Sequence, residues 1–339
     1  MEWEWRGKND CEHSKAQHSE LTPINSQPTN PSNPHQHFCG TAFCNVLKDE
    51  TCHPKIIAAG ALGPLMSLSL DEHMAGDLEL ATSLAFALYN ISCGGIDAIT
   101  ACLEGGIIKC LVKFSEHDSL SIRERVAASV CSLALSKYVS KTGESIVQMM
   151  ISQNVLEAIM DMMDSKEEIE SMPEVTQQCV TALAIVAHDP VSHDTIVNRG
   201  CVETLINLGN MTNDTETKQV CAVVLSVLTY GEKSLNRLIE MKGLEAIIRL
   251  SSEKDTLTRQ HCAVALCNIS ENGAGVLEML EENVGMVEVL SKLSNTYSEE
   301  AQQDCAKCLC NLSSIANKSV MLNKHGAVHA LMMIAMVRR

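Results

Sequence analysis

The chain has 339 residues, 45% of them hydrophobic but only 3% aromatic, with 16 cysteines and a formal charge of -16. So acidic a surface repels phosphate backbones and argues against a nucleic-acid role; it attracts a basic partner, or does no more than keep an apolar protein soluble. A core of Leu, Ile, Val, Ala, Met and Cys suits packed helices and suits sheets poorly, and without an apolar run of roughly 18 residues no membrane insertion is expected.

Residues 1–37 are rich in Asn, Ser, Pro, His and Gln, with prolines at Pro23, Pro28, Pro31 and Pro34. Such a stretch buries too little apolar surface to order itself, so a disordered tail is predicted over 1–37. Its opening residues carry no apolar secretory core, and Glu2 is incompatible with the usual myristoylation start. Trp3 and Trp5, the only tryptophans, read as part of a flexible terminus or as a short anchor for a partner.

From residue 38 two phrases alternate down the chain. One is a glycine followed by aliphatics two, five and eight residues on, as at Gly60 (Leu62, Leu65, Leu68), Gly106 (Ile108, Leu111, Phe114) and Gly200 (Val202, Leu205, Leu208). It recurs at Gly285 and Gly326, and with the glycine replaced at Asn154 and Lys242. The other is a helical apolar phrase, as in Leu84–Ser92, Val126–Ala134, Cys179–Ala187, Cys221–Thr229, Cys262–Ser270 and Cys305–Ser313, with an earlier copy at Cys39–Leu47. A period of roughly 40–50 residues predicts stacked helical repeats rather than one compact core. Short segments such as Asp194–Val197 and Leu235–Met241 supply a brief helix before each glycine position. A sharp junction between helices needs a residue tolerant of positive φ, which explains the glycines and the asparagine.

Cys39, Cys179, Cys221, Cys262 and Cys305 share one position of the repeat and read as small buried hydrophobes, which implies a reducing compartment. Two connections are stretched, 136–145 and the acidic 164–174; each reads as a solvated loop or as a binding insertion on one rim.

The three-helix unit of about 42 residues, with a third helix ending in Ala-x-x-Leu-x-Asn-Leu-Ser, resembles the armadillo repeat. The resemblance covers residues 38–339 and implies an all-α, right-handed armadillo-repeat solenoid of about seven three-helix units, the last incomplete. It also implies that the third helices line a concave groove in which an asparagine on each grips the main chain of a bound peptide. That column reads Asn45, Asn90, Ser132, Ile185, Val227, Asn268 and Asn311. Either two polar grips flank an apolar saddle, or the central units bind nothing there. Two turns earlier lies a column containing Gln177, Gln219, Gln260 and Gln303, which suits a peptide backbone or is a plain solvated face. Four residues before the asparagine, where import receptors of the family carry tryptophan, stand Thr41, Phe86, Ala128, Thr181, Val223, Val264 and Lys307. The absence of tryptophan there argues against classical import-receptor activity, and a single lysine argues against a lysine-rich groove for acidic peptides.

No motif calls for a cofactor. Cys305, Cys308 and Cys310 make half of a zinc pattern on one helix, and His35, His37, Cys39, Cys44, Cys52 and His53 cluster near the start; core packing is the preferred reading of both. No phosphate-binding loop and no nucleophile signature is present. His261, beside the glutamine column, is the histidine most expected to touch a ligand.

We therefore expect a non-enzymatic cytoplasmic adaptor, compatible with nuclear or cytoskeletal association, that binds an extended or helical segment of another protein. The candidate groove residues are Asn45, Asn90, Asn268, Asn311, Gln177, Gln219, Gln260 and Gln303. The alternatives are an architectural subunit that assembles through its convex or end surfaces, and a fragment of a longer protein whose functional domain lies elsewhere.

Overall fold

The computed structural model describes residues 34–336, apart from 72–76, 137–139, 141–142, 164–172, 281–284, 296–297, 316–318 and 325. The expected tail before residue 34 and the acidic connection at 164–172 lie outside the described residues. Among those described there are helices and no β-strand.

Among the described residues the expected three-helix repeat recurs from Glu50 to Ser313. In the repeat at its clearest, helices Glu232–Glu240, Gly243–Leu250 and Thr256–Glu271 follow one another. The junction between the first and second helix takes a left-handed residue in every copy: Gly60, Gly106, Gly200, Gly285 and Gly326, with Asn154 (φ 62°) and Lys242 (φ 58°) at the two exceptions. Lysine has a Cβ that crowds the backbone in this region, so Lys242 holds a strained conformation for the sake of the junction.

Four of the third helices start on capping side chains. Asp77, Asp214, Asp255 and Ser298 each accept the backbone N–H three residues on. This satisfies one of the orphan donors of a helix start and adds about 1 kcal/mol to each. The aliphatic columns are the core: Leu65, Leu111, Leu205, Leu290, Phe114, Leu208 and Leu293 are all buried. In the last copy the column opens, with Val328 and Leu331 exposed on helix Ala327–Met336.

The chain divides into two compact units, 1–138 and 139–339. In the first, third helices Pro34–Leu47, Leu78–Ser92 and Leu120–Ala134 pack side by side. The first of these starts at Pro34, inside the stretch that composition assigns to the tail, because His37 is buried against Asp77 and Glu79 of the next third helix and its start. In the second unit, third helices Pro173–Ala187, Thr215–Leu228, Thr256–Glu271 and Glu299–Ser313 pack in succession.

The cysteine column is buried at Cys179, Cys221, Cys262 and Cys305, as expected, but Cys39 is exposed, a correction to the sequence expectation. Among the described residues no earlier third helix packs on that face of helix 34–47. Burial pushes the Cys201, Cys221 and Cys305 thiols up to about 12, so they stay protonated and inert at neutral pH. No group of His, Cys, Asp and Glu side chains among the described residues is placed to hold a metal ion.

Candidate functional site

The third-helix faces carry the candidate residues, and each unit has its own. The asparagine column does something in the structure that its sequence does not announce: it ties neighbouring repeats together. In the second unit, Asn268 Nδ2 donates to Thr229 Oγ1 at 2.8 Å and Asn311 Nδ2 donates to Ser270 Oγ at 2.9 Å. Those hydroxyls in turn donate to main-chain carbonyls, Thr229 to Ser226 O and Ser270 to Cys267 O, so each amide ends a short polarised chain. In the first unit, Asn90 Nδ2 lies 3.5 Å from Cys44 O, and Ser132 Oγ donates to Ser92 O at 2.9 Å.

The hydroxyl partners sit two residues beyond the column position of the preceding repeat. Thr229 follows Val227 by two, and Ser270 follows Asn268 by two. For Val227 the corresponding residue of the preceding repeat is Ala187, buried and without a hydroxyl. An asparagine at 227 would find no such partner, which gives a physical reason for its absence. Ile185 and Val227 are both half-buried, so an apolar stretch does stand in the column.

With one N–H engaged, Asn268 and Asn311 are held at fixed angles. Their Oδ1 atoms take no partner among the described residues and are not sealed from solvent. Asn45 differs: it is exposed, and among the described residues only Lys48 Nζ, 3.3 Å away, bonds to it.

The glutamine column is less uniform than its sequence. Gln177 Nε2 donates to the Glu216 carboxylate of the next repeat. Gln219 and Gln260 are half-buried and Gln303 is exposed. His37, at the same position in the first repeat, is buried within 3.5 Å of Asp77 and 3.7 Å of Glu79.

Phe86, four residues before Asn90 on the same helix, is already covered. The Arg125 guanidinium stacks 4.9 Å from its ring centroid and 5.1 Å from that of Tyr89, and pairs with Glu124 at 2.6 Å. A cation of the protein's own therefore occupies the face that a ligand cation would take.

Electrostatics of the second unit's face favour hydrogen-bond acceptors. Burial raises the Asp304 carboxyl above its usual range, Lys307 opposes that shift and Glu300 adds to it. Lys218 is held by Glu253 at 2.7 Å, which leaves Lys307 as a more exposed cation beside this acid. His261 accepts this pattern too. Its Nδ1 lies 3.1 Å from Ser226 Oγ, whose own hydrogen is directed at Val223 O, so Nδ1–H is the donor and Nε2 carries a lone pair. Burial pulls the His261 ring down to about 4, with His188 adding to this and Asp255 opposing it, so the ring is neutral at pH 7.

Solved structures of similar shape exist. A computationally designed armadillo repeat protein for modular peptide recognition matches with TM-score 0.62 and 19% identity, over 74% of this chain and 99% of that one. A second design, in complex with the peptide (KR)4, matches with TM-score 0.60 and 19% identity, over 74% and 99%. An engineered protein matches over 91% of this chain and 82% of its own, with TM-score 0.63 and 20% identity. The fold is that of the armadillo repeat. At such identities the likeness carries the fold alone. The chain matches no family model and no curated protein.

Proposed function

We propose that this protein is a non-enzymatic adaptor that holds an extended segment of another protein on the third-helix face of unit 139–339. The observation that carries the reading is the pair Asn268 and Asn311, oriented by Thr229 and Ser270 with their carbonyl oxygens left over. Pre-oriented acceptors at repeating intervals suit the N–H groups of an extended main chain. The neutral His261 ring adds an acceptor on the same face. The charge of -16 and the carboxylates of Glu216, Glu300 and Asp304 favour a segment with basic side chains. Half-buried Ile185 and Val227 offer apolar contact to side chains between the basic ones. A cytoplasmic location fits the protonated, buried thiols.

The architectural reading keeps one observation in its favour. Val328, Leu331, Met332, Met333 and Met336 are all exposed on helix Ala327–Met336, a larger apolar surface than any other helix shows.

Affinity capture from the native cell separates the two. With Asn268→Ala plus Asn311→Ala, the groove reading expects the captured partners to be lost while the protein stays folded by circular dichroism. Retention of every partner sinks it and supports the architectural reading.

A further inference from the structure

A hollow of about 490 Å³ lies in unit 139–339, where the third helix ending at Ala187 turns into the next repeat and where the helix ending at Leu228 does the same. It is built from turn residues, apart from the third-helix face described above. Its walls are Pro190, Val191 and Tyr230; Val191 is 63% and Tyr230 69% exposed.

His193 lies at its floor and is only 8% exposed. Its Nε2 is 2.8 Å from Ala187 O, a carbonyl that can only accept, so Nε2 carries the hydrogen. In the neutral ring Nδ1 is then an acceptor, and it takes no partner among the described residues. It lies beside Gly231, where a Cβ would sit 2.9 Å from it. The same device occurs in the first unit: His53 Nε2 meets Leu47 O at 2.9 Å and Nδ1 faces Gly94. There, however, Nδ1 is sealed from solvent. At His193 it is not sealed, and the hollow is what opens it.

Donors face the same space. Helix Glu232–Glu240 begins at Gly231 with no side-chain cap, and the N–H groups of Glu232, Lys233 and Ser234 take no acceptor among the described residues. At the mouth Lys233 is paired with Asp194 at 2.6 Å, while the Glu232 carboxylate is exposed. Acid outweighs base at this mouth, so an anionic ligand is disfavoured despite the helix start.

We propose that this hollow binds the side-chain carboxamide of a glutamine or asparagine in a peptide segment lying across the turn. The carboxamide oxygen accepts from the free N–H groups at 232–234, its NH2 donates to His193 Nδ1, and its aliphatic stem packs between Tyr230 and Val191. A carboxamide is the neutral side chain that offers a donor and an acceptor on one small planar group. A carboxylate of the same shape lacks the donor that Nδ1 needs and meets Glu232 and Asp194.

The test is an NMR titration of the intact chain, labelled at tyrosine and histidine, with N-acetylglutamine amide. Saturable shifts at Tyr230 and His193 are expected, with a dissociation constant on the order of 1 mM for so small a probe. N-acetylalanine amide, which has main-chain amides only, and N-acetylglutamate amide should each bind at least about fivefold more weakly, the loss of one or two hydrogen bonds. Tyr230→Ala, at an exposed position that folding does not need, should weaken the glutamine probe about threefold to tenfold. Gly231→Ala, whose methyl fills the floor, should abolish the shifts. Equal binding of the alanine probe, stronger binding of the glutamate probe, or no saturable shift at Tyr230 and His193 each overturns the proposal. None of these outcomes bears on the third-helix face, whose residues are unchanged.

Discussion

In unit 1–138 the asparagine position reaches main-chain carbonyls: Asn90 approaches Cys44 O at 3.5 Å and the substituted Ser132 reaches Ser92 O at 2.9 Å. In unit 139–339, Asn268 and Asn311 reach hydroxyls at 2.8 and 2.9 Å. A carbonyl contact at 3.5 Å is at the limit of a hydrogen bond, whereas the hydroxyl contacts are short and continue into a further bond. The second arrangement fixes the amide and leaves its oxygen without a partner among the described residues. The first unit instead closes its face with its own cation, Arg125 over Phe86 and Tyr89. Side chains of one column thus join repeats in different ways, and the neighbouring repeat decides which.

The largest expected effect probes the buried acceptor of the second unit. The His261 ring titrates near 4 in the folded chain, below its ordinary 6.5, so the unfolded chain takes up a proton first. Stability is full above about pH 6.5 and falls as the pH drops towards 4, by up to about 3 kcal/mol at 1.36 kcal/mol per unit. Urea unfolding followed against pH should show this loss, and His261→Gln should flatten it. An unchanged slope in that variant removes His261 from the account.

Next comes the inter-repeat bond. Thr229→Val deletes the hydroxyl under Asn268 while keeping its shape, and should cost about 1–2 kcal/mol in the same assay. Asn45→Ala, in the first unit, removes a side chain exposed to water and should change stability by less than about 0.5 kcal/mol. Equal costs for the two substitutions break the contrast between the units. The junction at Lys242 should act with the opposite sign: replacing it with glycine relieves the left-handed strain and should stabilise the chain by up to about 0.5 kcal/mol, visible as a rise in Tm.

Much of the fold is legible in the sequence because it depends on local periodicity and on backbone handedness. The seven left-handed junctions fall on the glycines, on Asn154 and on Lys242, where the repeat alignment places them. The aliphatic columns are buried for the same reason. The start of the first helix at Pro34 was hidden by the polar composition around it, although proline is well suited to a first helical turn. Cys39 matches a buried column yet is exposed, since burial depends on a neighbouring repeat rather than on its own phrase.

The candidate site was legible only as columns. That Asn268 and Asn311 have one N–H engaged depends on residues about 40 positions away, which only the stacked repeats bring near. A signal for it does exist: a hydroxyl two residues past the column in the preceding repeat, present before Asn268 and Asn311 and absent before Val227. The hollow at His193 left no signal, because the similar His53–Gly94 pair is closed and the difference lies in packing alone.

On the function proposed above, the third-helix face of unit 139–339 holds a basic extended segment through Asn268 and Asn311. Calorimetric titration of the intact chain with the peptide (KR)4 tests it directly. The account predicts saturable binding that weakens about tenfold or more in the Asn268→Ala, Asn311→Ala double variant, at roughly 1 kcal/mol per lost hydrogen bond, while Asn45→Ala binds as the parent does. Binding of the parent and the double variant with the same affinity, or no binding by the parent, contradicts it.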